Sequence, residues 1–310
     1  MHEGKTERIQ PGLTRREFGK LLAVSCAVAQ AGRLSASPAR RLKCGHSGIT
    51  WGFKPDTAEQ AITDVGSLGF HGYETFGQVL EAWESKGGLK RVLDEHKLPL
   101  VSGYCTFNMV DPTKRTDEIA KMVRWGGLIK NCGGRVSVMG PNPVDRNTYD
   151  FKAHQADIIA SLNETSKALT DIGLVPVLHQ HTGTCVMTRD EVYGVMEKVD
   201  TRYVKFGPDV GQLAKGGNDP VQVVRDFLPI IRHVHLKDWD GGPYWLEYCP
   251  LGRGKVDLPK VLDLLESSGN DLMIMAELDG TANAPMTPLA AATINRNYLQ
   301  SEGYSFRSGA

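Results

Sequence analysis

The sequence is poor in the features that mark several common classes of protein. It has 6 cysteines and no CxxC pair, so neither a zinc–thiolate site nor a dense disulfide framework is expected. The sequence still allows a single disulfide bridge. Its 36 basic and 36 acidic side chains give no net charge, whereas a protein that binds nucleic acid needs a basic excess. No apolar run approaches the length that spans a bilayer. Neither nucleic acid nor stable membrane insertion is therefore expected.

The beginning of the chain predicts an export signal. The stretch "TRREFGK" at residues 14–20 precedes a short apolar run over residues 21–31, which ends in the small-x-small cleavage form "AQA". The paired arginines resemble the twin-arginine signal, which carries folded proteins across the bacterial inner membrane. We therefore expect residues 1–40 to be a cleavable signal and linker, and residues 41–310 to be the folded domain. The twin-arginine export machinery is the expected partner, and the protein is expected to be periplasmic or secreted.

From residue 43 onward, short apolar runs alternate with amphipathic stretches. The apolar runs, typical of buried strands, cover residues 43–49, 69–74, 98–105, 135–139, 174–179, 203–207, 233–237 and 272–277. The amphipathic stretches, with apolar residues at helical spacing, cover residues 58–68, 117–131, 149–172, 189–199, 220–227, 258–267 and 288–300. Strands that alternate with helices pair in parallel through right-handed crossovers. Eight such units match the size of a single (β/α)8 TIM barrel, which is the predicted fold.

The competing fold is an open, doubly wound sheet. Such a sheet usually carries a glycine-rich phosphate-binding turn after its first strand. The corresponding stretch here, "CGHSGITWGF" at residues 44–53, has neither the GxGxxG nor the P-loop form. The sequence therefore favours the barrel.

Polar side chains end the later predicted strands, where the active site of such a barrel lies. Four adjacent strands, the fifth to the eighth, offer His179, Asp209, His235 and Glu277. Nitrogen and oxygen ligands in this mixture suit Mn²⁺, Zn²⁺, Co²⁺ or Fe²⁺ and leave positions open for substrate oxygens. The sequence therefore predicts one divalent metal ion at this end of the barrel.

Each of these side chains also has an ordinary structural interpretation. A histidine at a strand end is more often hydrogen-bonded within the fold than bound to a metal. Asp209 could cap the following helix, Glu277 could pair with an arginine, and Lys237 could be solvated. The coincidence of four metal-compatible residues on four adjacent strands is what favours the metal site.

Three stretches carry a resemblance to a known family: "HVHLKD", the glycine-containing "PLGRGKVDLPKVL", and "MIMAELD". With them, residues 43–300 resemble the sugar isomerase/epimerase superfamily with the xylose-isomerase-like barrel. That group includes ketose epimerases, inosose dehydratase and, more distantly, endonuclease IV. The resemblance implies that Asp209, His235 and Glu277 are metal ligands. It also places His179 where relatives usually carry a glutamate.

The strand-five stretch departs from the ketose epimerases. Those enzymes use two glutamates as paired acid and base, and His179 stands in place of one of them. "HQHTGT" instead resembles the corresponding stretch of inosose-dehydratase-like members. Gln212 also stands where the family's strand-six motif often has a histidine.

The resemblance implies a divalent-metal-dependent isomerase or epimerase acting on a keto-sugar or cyclitol. Its expected chemistry is proton abstraction next to a metal-held carbonyl, through an enediolate. The first alternative is a lyase of the inosose dehydratase kind, and the second is a non-catalytic periplasmic sugar-binding protein. The sequence is also compatible with a homo-oligomer.

Further residues receive roles on this basis. Besides Glu277, the catalytic candidates are Lys237, which could stabilise oxyanions or transfer protons because a desolvated amine titrates nearer neutrality, and Glu74, as a base or hydroxyl ligand. The expected substrate contacts are His181, His46, Trp51, Gln212 and Trp239.

Overall fold

This computed structural model describes residues 40–308 of the chain. The fold of these residues is built on eight parallel strands. The predicted export signal and its arginine pair lie outside the described residues. In chain order the strands are β1 (Lys43–Ser47), β2 (Tyr73–Phe76), β3 (Leu100–Phe107), β4 (Val136–Pro141), β5 (Val175–Leu178), β6 (Lys205–Phe206), β7 (Val234–Leu236) and, after a two-stranded hairpin, β10 (Met273–Ala276). The hairpin is formed by β8 (Asp238–Trp239) and β9 (Tyr248–Cys249).

The strand order is β6-β5-β4-β3-β2-β1-β10-β7. Isolated parallel bridges join Phe206 to Ile231 and Asp209 to His235, so the two outer strands of this order also meet. The backbone N–H of His235 donates to the carbonyl of Pro208 at 2.9 Å as part of this contact. The arrangement is a single TIM-barrel-like fold, as the alternation of strands and helices predicted.

Ten α-helices of the described residues surround the strands. They are α1 (Ala58–Ser67), α2 (Gly77–Glu84), α3 (Lys90–Glu95), α4 (Arg115–Asn131), α5 (Phe151–Asp171), α6 (Arg189–Met196), α7 (Val210–Lys215), α8 (Pro220–Phe227), α9 (Leu258–Ser267) and α10 (Pro288–Ser301). Side chains define several of their starts: Asp150 accepts from two N–H groups of α5, and Thr188 with Glu191 forms a capping box on α6. The sequence predicted seven of these helices and missed α2, α3 and α7. Within the described residues, no helix combines the length and apolarity that a membrane crossing requires.

The alternation of side chains along each strand decides what faces the barrel axis. Val136, Val138 and Val177 form a small apolar cluster in the barrel interior, apart from the larger core that packs strands against helices. In β1, Gly45 pairs with Met275 of β10, and a β-carbon at Gly45 would lie 2.6 Å from the sulfur of Met275. The same β-carbon would lie 2.8 Å from the carbonyl oxygen of Gly72, and this backbone atom cannot move aside as a methionine side chain can, so the position favours glycine.

The five cysteines of the described residues are free thiols, and four of them are buried. Burial raises the pKa of Cys105 and Cys185 to about 12. The two groups of side chains in the described residues that could hold a metal consist of histidines and carboxylates.

Candidate active site

The four predicted metal ligands lie together at the carboxyl ends of the strands. His179 follows β5, Asp209 precedes α7, His235 lies in β7 and Glu277 follows β10. The rings of His179 and His235 have centroids 4.7 Å apart, and Nδ1 of His235 lies 3.1 Å from Oε2 of Glu277. Donor atoms of His179, Asp209 and His235 all lie within 4.8 Å of one another.

Asp209 caps a helix with one carboxylate oxygen and turns the other towards the predicted metal site. Its Oδ1 accepts from the N–H of Gln212 at 2.9 Å and so caps α7. Its Oδ2 makes no aligned hydrogen bond and points to the ammonium of Lys237 at 3.2 Å. The cap fixes the carboxylate, and its second oxygen stays available to a ligand.

His179 is the clearest indication that the site takes a metal. The side chain is fully buried, yet neither ring nitrogen has a protein hydrogen-bond partner. Burial, with the charges of His235 and His181 next, holds its pKa well below the ordinary value, so the ring is neutral. A buried polar group without a partner costs about 1–3 kcal/mol, whereas a neutral imidazole is a common metal ligand. The orphaned imidazole and the free oxygen of Asp209 fit a divalent metal.

Glu74 contacts the ring of His235. Its Oε2 accepts from Oγ of Ser102 at 2.6 Å and from Nε2 of His233 at 3.0 Å, and its Oε1 lies 2.7 Å from Nε2 of His235. Burial opposes ionisation, but the two histidines hold the pKa of Glu74 well below its usual range. Despite its own burial, His235 has a pKa raised to about 9 by Glu277 and Glu74. Because Oε2 of Glu74 accepts two hydrogen bonds and Oε1 lies against the ring of His235, the geometry suits orientation of His235. The predicted role as a base stays a prediction.

The prediction that Lys237 titrates near neutrality is wrong. Burial alone would lower the pKa of this ammonium. Three carboxylates outweigh burial and raise the pKa well above the ordinary value: Nζ lies 2.6 Å from Oε1 of Glu277, 2.8 Å from Oδ2 of Asp279 and 3.2 Å from Oδ2 of Asp209. Lys237 is therefore a fixed positive charge in the site.

His181 has both ring nitrogens engaged. Oε1 of Gln212 accepts from the N–H and the hydroxyl of Thr182 at 3.1 and 2.7 Å, so the amide nitrogen of Gln212 donates to Nε2 of His181 at 2.8 Å. The other ring nitrogen, Nδ1, donates to the carbonyl of Thr182 at 2.7 Å. Gln212 is buried and fixes His181, while its predicted contact with substrate stays a prediction.

A cavity of about 80 Å³ opens among these side chains. Its lining comprises Ser47, Ile49, Glu74, Phe76, Tyr104, His179, His181, Glu277 and Asp279. Of the predicted site residues, the lining includes Glu74, His179, His181 and Glu277.

Sequence reasoning missed Asp279 and Tyr104. Asp279 follows Glu277 by two residues, so strand alternation gave a signal for it. The ring of Tyr104, on β3, lies 5.1 Å from that of His179 and 6.3 Å from that of His235. Nothing in the stretch around Tyr104 distinguished it from other apolar strand residues.

His46 and Trp51 do not line this cavity, contrary to prediction. The ring of His46 packs between β1 and the helices, 5.0 Å from Phe70 and 5.5 Å from Trp51. Trp51 Nε1 donates to the carboxylate of Asp64 in α1 at 2.8 Å. Strand alternation explains the error, because Ser47 and not His46 points towards the axis.

Trp239 is also not a cavity wall. It lies in the β8–β9 hairpin and packs against a separate apolar cluster that contains Trp245, Tyr248 and Leu278. The ammonium of Lys255 lies 5.0 Å from its ring centre. Trp239 therefore holds the hairpin in place.

Comparison with known proteins decides the family. The sequence model of the xylose isomerase-like TIM barrel family matches residues 62–298. The chain belongs to this family. The resemblance inferred from the strand-end motifs is thereby confirmed.

Relatives of this family with assigned names are similar over most of the chain. An inosose dehydratase of Clostridium botulinum (strain Alaska E43 / Type E3) is 25% identical over 276 residues, which cover 80% of this chain and 90% of that protein. The crystal structure of IOLI protein with a binding zinc atom has a TM-score of 0.70 at 15% identity, covering 84% of this chain and 98% of the other. The apo 3-keto-D-glucoside 4-epimerase YcjR of E. coli has a TM-score of 0.64 at 16% identity, with the same coverage of 84% and 98%. The protein is thus an enzyme of the sugar isomerase/epimerase or inosose-dehydratase-like group.

Proposed function

We propose that the protein is a divalent-metal-dependent lyase that acts on a keto-sugar or keto-cyclitol. It removes the proton on the carbon next to the carbonyl and expels the oxygen substituent on the following carbon. The observation that carries this choice is the asymmetry of the cavity. Carboxylates of Glu277 and Asp279 line one part, and a third carboxylate in the lining, Glu74, is held by Ser102 and two histidines. The strand-five part offers only His179 and a doubly engaged His181.

Proton transfer on both faces of a carbon needs a free acid or base on each face. His181 has no free ring nitrogen, and His179 is the best-suited metal ligand, so neither is available for proton transfer. Elimination makes a smaller demand, because one group can take the proton and return it to the departing oxygen. The cavity therefore supports elimination better than the epimerisation that the sequence first favoured.

Asp279 is the proposed proton carrier. Its side chain is 15% exposed, and its Oδ2 lies 2.8 Å from the ammonium of Lys237, which holds the carboxylate in place. The carboxylate takes the proton from the carbon next to the carbonyl, and the released electron pair forms the carbon–carbon double bond of an enolate. When the ketone re-forms, that electron pair makes the double bond to the following carbon and the bond from this carbon to oxygen breaks. Asp279 gives its proton to the departing oxygen, so water or an alcohol leaves.

The residues that would hold the metal are His179, Asp209, His235 and Glu277. When bound, a divalent metal supplies positive charge that stabilises the negative oxygen formed as the carbon loses its proton. Lys237 adds a fixed positive charge beside Glu277 and Asp279. The wall formed by Phe76 and Tyr104, with ring centres 5.7 Å apart, offers an apolar surface to the C–H face of a sugar ring.

The test is incubation of the metal-loaded protein with keto-inositols and 3-keto-glucosides in D₂O, followed by NMR. The lyase predicts an unsaturated ketone and release of water or alcohol. Asp279→Asn should reduce turnover by about 10²–10⁴-fold, the usual contribution of a general acid–base group. Asp56→Asn, at an exposed aspartate, is the matched control and should be neutral. Deuterium exchange with no leaving-group release would contradict the proposal.

A metal-dependent epimerase is the second candidate. Glu74 and Glu277 both line the cavity and contact different nitrogens of His235, so two carboxylates are present if Glu74 releases one of its partners. In the same NMR experiment, an inverted carbon that carries deuterium would support this candidate.

We further propose export by the twin-arginine route, on the strength of residues 14–31. Replacement of Arg15 and Arg16 by lysine should retain the protein in the cytoplasm of its bacterial host. Unchanged recovery from the periplasm or medium would contradict this proposal.

A further inference from the structure

A second, larger cavity opens at the opposite end of the barrel, where the strands begin. Its volume is about 520 Å³, against about 80 Å³ for the candidate active site. The first residues of several strands line it, among them Lys43 of β1, Leu100 of β3 and Val175 of β5. Interior side chains such as Val138 and Val177 lie deeper in the barrel, between the two ends. This cavity is therefore separate from the catalytic one.

The rim of this cavity is strongly basic. Its lining contains Arg41, Lys43, Arg135 and Arg232, and Asp271 is its one acidic member. Within residues 40–308, none of the four cations pairs with a carboxylate. Other arginines of the barrel do form such pairs, including Arg40, Arg115, Arg146 and Arg202. Three of these cations are exposed and Arg232 is half-buried, so this cavity presents a cluster of positive charges to solvent.

Two further observations describe this end of the barrel. Nη1 of Arg232 donates to the carbonyls of Pro229 and Ile231 at 3.0 and 2.7 Å, so the guanidinium is anchored by the backbone. The pKa of the neighbouring Lys205 is lowered, first by burial and then by the charge of Arg232.

We propose that this cavity binds a phosphate group, either as inorganic phosphate or on a phosphorylated sugar. Arginine presents a planar fork of donors that matches phosphate oxygens, and the three arginines and one lysine of the lining suit a doubly charged oxyanion. The volume lies within the range of about 300–1,000 Å³ that small-molecule sites occupy, so the cavity also has room for a sugar attached to the phosphate. The site does not depend on the proposed reaction at the other end of the barrel.

The test is isothermal titration calorimetry of the full chain in phosphate-free buffer at low salt. Inorganic phosphate and glucose 6-phosphate are the two probes, and glucose is the uncharged control. Arg135→Gln and Arg232→Gln should each weaken binding about tenfold, the loss expected for one hydrogen bond to a charged group. Arg253→Gln is the matched control, because Arg253 is exposed, lies outside the lining and has no carboxylate partner among the described residues. It should leave binding unchanged.

Asp271→Asn should increase the affinity for phosphate, a result that misfolding of the variant would not produce. Removal of the one acidic side chain of the lining should tighten phosphate binding by about twofold to fivefold, as expected for a partly exposed like-sign contact removed. Saturable binding of either probe that follows these variants supports the site, and binding of the ester alone identifies a phosphorylated sugar as its ligand. No saturable heat with either probe overturns the proposal. Equal weakening by Arg253→Gln and Arg135→Gln also overturns it, because it would indicate non-specific attraction.

Discussion

Replacement of Lys237 by methionine tests how the active site balances its charges. The ammonium is fully buried and lies within 3.2 Å of three carboxylates, from Asp209, Glu277 and Asp279. Its removal leaves that acidic cluster without its cation, and breaking a buried charge pair costs about 3–5 kcal/mol. The metal-free variant should therefore lose about that much unfolding free energy in urea. A bound divalent metal supplies positive charge to the same carboxylates, so excess Zn²⁺ or Mn²⁺ should return a large part of the loss.

The matched control is Lys260→Met. Lys260 also contacts a carboxylate, Asp257 at 2.6 Å, but both side chains are exposed, at 68% and 41%. Its loss should change the unfolding free energy by less than about 1 kcal/mol, with or without metal. Equal destabilisation of Lys237→Met in the presence and absence of metal would refute the view that lysine and metal share these carboxylates. A loss below about 1 kcal/mol would show that the Lys237 contacts contribute no more than exposed pairs do.

Two further predictions concern other residues. Burial lowers the pKa of His46 to about 4, so folding favours its neutral form; stability should be complete above about pH 6.5, the unfolded pKa, and fall as the pH drops towards 4. Urea unfolding across this range should show a weaker pH dependence in His46→Phe, and an identical profile would contradict the assignment. Gln212→Leu removes the donor to His181 and the acceptor for Thr182, and should cost about 1–3 kcal/mol while freeing Nε2 of His181. The His181 ring ¹⁵N shifts should report the freed nitrogen, and unchanged shifts would contradict that bond.

The sequence was sufficient for the barrel and for the gathering of four metal-compatible residues. The ends of parallel strands meet at one edge, so side chains such as His179 and Glu277 could be placed together without knowledge of the loops. The missed helices α2 and α3 are short and lie in one crossover between β2 and β3. Because each of these helices has few residues, the spacing of its apolar side chains does not repeat often enough to predict a helix.

Other features depend on distances that periodicity does not contain. At the end of β1, the sequence predicted His46 as a pocket residue, whereas its neighbour Ser47 lines the cavity. The pKa of Lys237 follows from carboxylates that come from separate segments, including Asp279. The fixed orientation of His181 depends on Gln212, which lies 31 residues away along the chain.

Metal content is the most direct test of the central claim. Wild-type protein isolated from its native host should carry about one divalent metal per chain, measured by plasma mass spectrometry. His179→Ala should lose most of that metal while keeping its fold, because the buried ring has no protein hydrogen bond to lose. His154→Ala, in the outer helix α5, is the matched control and should retain the metal. A folded wild type without metal, or a His179→Ala variant with full metal content, would contradict the account.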